Sequence, residues 1–141
     1  MGRILSIDYG QKRVGIAVSD NLQIIASALT TIHSKDIFSF LDEYLKKEEV
    51  SEIVVGHPKH YNNTDSEAML YIEPFFKKLK HRYPQIKCTL FDERFTSKIA
   101  LQSMIIGGTK KKQRQKKENI DMISATILLQ DYLNFIKNQK Q

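Results

Sequence analysis

Three strand-like runs fall within the first 33 residues, and the connections between them are too short to hold a helix. Arg3 to Asp8 is largely apolar, Tyr9-Gly10-Gln11-Lys12 reads as a turn, Val14 to Ser19 is rich in β-branched residues around an inserted Gly15, and Asn21-Leu22 leads into Gln23 to Ile32. Parallel neighbours need a crossover of a dozen or more residues, so these strands can pair in succession only as an antiparallel meander. Past Ser34 the hydrophobic period changes. Ile37, Phe38, Leu41, Tyr44 and Leu45 recur at helical spacing, and Glu52 to Gly56 is a short apolar strand closed before Pro58. Thr64-Asp65-Ser66-Glu67 matches a capping box. It predicts a second helix with Ala68, Ile72, Phe75, Phe76 and Leu79 on its apolar face and a kink at Pro74. Lys87 to Phe91 reads as a fifth strand, Thr96 to Ile106 as a helix ended by Gly107-Gly108, and Ile120 to Ile136 as a final helix. The order βββαβαβαα predicts an α/β fold: one five-stranded mixed sheet, an antiparallel meander plus two parallel strands, with helices on both faces.

The chain is 141 residues long, which fits a single domain over 1–141, and its 41% hydrophobic content is enough to bury a core. No apolar run approaches the roughly 18 residues of a membrane span, and MGRILSIDYG has neither a long apolar core nor a small-residue cleavage site. The expectation is a protein that is neither secreted nor membrane-bound. A single cysteine, Cys88, excludes an internal disulfide and suits a reducing, cytoplasmic setting; it reads as a buried strand residue. The formal net charge is +6, and all of it is local. Lys110, Lys111, Lys112, Arg114, Lys116 and Lys117 fall within eight residues that hold no acid. Such a tract is either a solvated, mobile loop or a grip on phosphates.

Carboxylates sit where the pattern calls for apolar residues. Asp8 ends a strand expected to be central, where a carboxylate is costly unless it is paired, hydrogen-bonded or metal-bound. It caps its own turn at Tyr9-Gly10 or it serves a site. Asp92-Glu93-Arg94 ends another buried strand, at the carboxyl edge where sheets of this kind bind ligands. The strand ending at Gly56 should lie between them and leave room there for an ion. Asp121 opens the last helix, flanked by Ser124 and Ala125, whose small side chains allow close approach to the sheet; alternatively it only complements the helix dipole. Oxygen ligands with no matching pair among His33, His57, His60 and His81 point to Mg²⁺ or Mn²⁺ rather than zinc. Two such ions about 3.5–4 Å apart would serve in-line phosphodiester hydrolysis, with the basic tract holding the polyanion.

IDYGQKRVGIAVSD (Ile7 to Asp20), VVGHP (Val54 to Pro58), FDERFTS (Phe91 to Ser97) and KENIDMISATILLQDYL (Lys117 to Leu133) together resemble the successive motifs of the YqgF family. These are the pre-16S rRNA nucleases, also described as RuvC-like Holliday junction resolvase homologues. The resemblance spans almost the whole chain. It implies an RNase H-like fold, with Asp8, Glu93 and Asp121 as catalytic metal-binding acids and Asp92 as the alternate in the same motif. It also implies that Lys12, Arg13, Arg94 and Lys117 lie near the phosphates. Two departures stand out: Asn62-Asn63 replaces the usual Asp-Gly turn after Pro58, and the tract KKKQRQKK is more basic than the family requires. The activity implied is trimming of precursor 16S rRNA at its 5′ end, with structured RNA and the ribosome as partners and a monomer or weak homodimer as the working form. A resolvase acting on branched DNA and a non-catalytic RNA-binding module are the alternatives. A sugar-kinase or actin-like ATPase would need a second lobe for which the chain is too short.

Overall fold

The computed structural model describes residues 2–57, 68–92 and 113–139. Five strands, β1 (Arg3–Tyr9), β2 (Arg13–Ser19), β3 (Ala26–His33), β4 (Val50–His57) and β5 (Lys87–Asp92), form one sheet in the order β3-β2-β1-β4-β5. The first three pair antiparallel, whereas β4 runs parallel to β1 and β5 parallel to β4. This is the expected mixed sheet, with β3 and β5 at its edges. Helices α1 (Ile37–Lys47) and α2 (Met69–Arg82) cover one face, and α3 (Gln113–Gln139) covers the other.

The strand pleat divides the core. Leu5, Ile7, Val14, Ile16, Ile53 and Val55 point toward α1 and α2, where they meet Ile37, Leu41, Phe75 and Leu79. Ile4, Ala17, Val54 and Phe91 point the other way, onto Ala125, Leu128, Leu129, Tyr132 and Leu133 of α3. Ser6 and Glu52 are buried on this second face. Both are satisfied by hydrogen bonds, as buried polar groups must be: the Ser6 hydroxyl donates to the Ala125 carbonyl at 2.7 Å, and the Glu52 carboxylate accepts from Thr89 Oγ1 at 2.7 Å and from the Tyr132 hydroxyl.

Three expectations are corrected. The third strand begins at Ala26 rather than Gln23, because the Asp20 carboxylate accepts from the backbone N–H groups of Ile24 and Ile25 at 2.8 and 2.9 Å, while Gln23 adopts φ 60°. The turn spends on Asp20 the donors a strand would need, and Gln130 secures it by accepting from Ala26 N at 3.0 Å and donating to Ile24 O at 3.2 Å. Helix α2 carries Pro74 in its interior, as expected. Cys88 lies on β5 but is only half-buried. The last helix starts well before Ile120: residues 113–117 of the basic tract are helical rather than a loop, since Gln, Arg, Lys and Glu are good helix formers and no Gly or Pro interrupts them. The Thr64–Glu67 capping box, the Asn62-Asn63 turn and the expected helix over 96–106 lie outside the described residues.

Candidate active site

Asp8 lies near the end of β1, half-buried, directly opposite Gly15 of β2. Opposite residues of an antiparallel pair project from the same face, and for this pair it is the face that α3 covers. A Cβ built on Gly15 would lie 2.0 Å from the Asp121 carbonyl oxygen and 2.5 Å from its carbonyl carbon. Only a residue without a side chain admits the helix backbone at this point. Gly15 therefore sets Asp121 down beside Asp8, and the Ser6–Ala125 hydrogen bond fixes the next turn of α3 against β1. Asp121 is also at least two turns inside α3, so the dipole at the helix N-terminus, felt over about one turn, does not account for it.

Ile7 pairs with Val55 and Gly56 with Phe91, so the buried Gly56 lies between Asp8 and the end of β5, as the sequence suggested. Phe91 packs edge-on against Tyr132 of α3, with ring centroids 5.2 Å apart, whereas Leu90 and Cys88 pack against the opposite cluster. Asp92 shares their side of the pleat and faces away from Asp8. Glu93, Arg94, Lys110, Lys111 and Lys112 lie outside the described residues; Arg114, Lys116 and Lys117 fall on the backbone of α3. Among the described residues no three His, Cys, Asp or Glu side chains cluster as a metal site. Among the described acids, Asp121 has its backbone against Gly15, directly opposite Asp8.

Arg13 shares the α3-facing side of β2 with Gly15. Its Nε donates to Asp121 Oδ2 at 2.9 Å, with the two side chains 42% and 23% exposed. The pair joins a residue expected to contact phosphate to one expected to hold metal. Sequence reasoning did not single out Gly15, Ser6 or the Glu52–Thr89–Tyr132 group, all of which seat α3. The signal lay in parity: Ser6 is the polar residue two before Asp8, on the same face, and Gly15 interrupts a run of β-branched residues.

The family model described as RuvX, Holliday junction resolvase, matches residues 2–135. The chain belongs to this family. A relative from Flavobacterium psychrophilum is 54% identical over 94% of this chain and 97% of its own, and one from Phocaeicola vulgatus is 53% identical over 94% and 96%. Both bear the name "Putative pre-16S rRNA nuclease". Among solved structures, T. thermophilus RuvC in complex with Holliday junction substrate superposes with a TM-score of 0.57, at 14% identity, over 96% of each chain. The fold is accordingly the RNase H-like fold of RuvC-type resolvases. Among the described residues no helix is long and apolar enough to cross a membrane.

Proposed function

We propose that this protein is an endonuclease that hydrolyses phosphodiester bonds and trims precursor 16S rRNA at its 5′ end, in the cytoplasm. The observation that carries this reading is the seating of Asp121 beside Asp8 by Gly15, in a chain half identical to relatives named for that activity. A pair of carboxylates at the carboxyl edge of a parallel region has the chemistry of a hard-cation site, and the guanidinium on Asp121 is a cation already standing there. Asp8, Glu93 and Asp121 would hold Mg²⁺ or Mn²⁺, with Asp92 as the alternate. Two such ions, when bound, would supply a nucleophilic water and charge stabilisation for an in-line displacement.

The chain's own residues do the rest. The three acids would leave the site electronegative, so phosphate needs cations, and the sequence offers Lys12 and Arg13 where β2 begins, Arg94 directly after Glu93, Lys110, Lys111 and Lys112, and Arg114, Lys116 and Lys117 on α3. Gly15 and Ser6 hold Asp121 in place before substrate arrives, which is the pre-organisation that catalysis requires.

A second reading, cleavage of four-way DNA junctions, is favoured by the family's description. Incubation with Mg²⁺ or Mn²⁺ and either a structured rRNA precursor or a four-way junction separates the two. We expect the precursor to be cut and Asp8→Asn to abolish the cutting. Cleavage of the junction alone would establish the resolvase reading, and metal-dependent cleavage of neither would leave an RNA-binding module.

A further inference from the structure

The Arg13–Asp121 ion pair has a consequence for the order in which the site is filled. Arg13 opens β2 on the face that carries Gly15, and its guanidinium reaches the Asp121 carboxylate beside the place where Gly15 admits the helix backbone. A divalent ion bound by Asp121 would meet this positive charge at short range, and the two would compete for the same carboxylate. Arginine does not lose its charge, so movement of its side chain is what relieves the competition. The side chain is 42% exposed, long and unbranched, and so has somewhere to go.

We infer that Arg13 is the resident counter-ion of the site, holding Asp121 until a divalent cation displaces it and thereafter pairing with a phosphate of the nucleic acid. This rests on the reading of Asp8, Glu93 and Asp121 as ligands of a divalent ion. One side chain then alternates between two anions, and metal binding and substrate binding promote one another. By linkage, each must strengthen the other by the same factor.

Calorimetric titration of Mn²⁺ into the protein without nucleic acid tests the first half. Arg13→Gln should bind Mn²⁺ about two- to fivefold more tightly than wild type, the competition expected from a half-exposed ion pair. Arg13→Lys, which keeps the charge but not the planar fork, should fall between them and guards against a folding defect in the first variant. The second half is read from the salt dependence of RNA binding, with Ca²⁺ as the divalent ion and substrate integrity checked by gel. Arg13→Gln should lower the salt slope by about one unit with the ion present and leave it unchanged without, because only the displaced guanidinium contacts phosphate. Equal or weaker Mn²⁺ binding by Arg13→Gln, or a slope lowered equally with and without the ion, overturns the inference. Wild type that binds no Mn²⁺, or Asp8→Asn that binds it as well as wild type, refutes the metal-site reading itself and the inference with it.

Discussion

Gly15 decides where Asp121 can be. Its replacement by Ala would put a methyl group 2.0 Å from the Asp121 carbonyl oxygen, so α3 or β2 must shift. Overpacking of this kind costs about 1–3 kcal/mol. We expect Gly15→Ala to lower the denaturant midpoint and, in the fraction that stays folded, to lose turnover more severely than RNA affinity. A variant as active and stable as wild type would show that the helix is not held at this point. The pleat bears similarly on the Asp92–Glu93 pair. Because Phe91 faces α3, a strand that stays regular for two more residues turns Glu93 to the same side and Asp92 away. At saturating metal, Glu93→Gln should therefore cost far more turnover than Asp92→Asn, and the reverse ranking would mean that the strand bulges after Phe91. Asp8 stood out in the sequence because a carboxylate closing an apolar strand demands a reason. Gly15 was visible but mute, since a glycine in a strand announces a close approach without naming what approaches.

At the scale of the element, α3 is fixed by its contacts rather than by its pattern. Tyr132 and Thr89 both donate to the buried Glu52, tying α3, β5 and β4 into one hydrogen-bonded group. Burial, and then the bond to Glu52, push the Tyr132 hydroxyl up from its ordinary 10.0 to about 12. A raised value means that the unfolded chain ionises first, so this contribution is complete below pH about 10 and is lost as the pH rises toward 12. Tyr132→Phe should flatten part of that alkaline decline, measured as the urea midpoint against pH. At neutral pH it should cost about 1–3 kcal/mol because the Glu52 carboxylate loses a donor. Tyr83, which donates to Asp42 at 2.6 Å and is also pushed up to about 12, accounts for a further share on the opposite face. None of this was legible in advance: alternation shows which residues share a face, not which side chains will meet across it. The order and direction of the strands were legible, because connection length alone separates hairpins from crossovers.

Across the whole molecule, charge is distributed unlike hydrophobicity. The core is divided between two faces of one sheet, whereas the excess of positive charge is concentrated in residues 110–117, the later of which are helical and continuous with the turn that bears Asp121. Neutralising Lys110, Lys111 and Lys112 should lower the salt slope of RNA binding by at most roughly 2–3 units and leave turnover at saturating substrate nearly unchanged. An unaltered slope would shift the burden to Lys12, Arg13 and Arg94. Residues 113–117 are helical rather than a loop because the good helix propensity of Gln, Arg and Lys prevails over the repulsion within a run of like charges.

The edge strand β3 carries a different burden. From Ala26 to Ile32 it is uncharged and free of proline, and among the described residues no strand neighbours its outer side, which is the composition that invites a second molecule to add itself to a sheet. Its pairing with β2 steps from Ile16–Thr30 to Ala17–Ala28, so Leu29 has no partner there. This bulge breaks the uncharged edge into two short pieces and adds local twist. Along β3 the sheet thus offers two short lengths rather than one long flat edge on which chains could stack into aggregates.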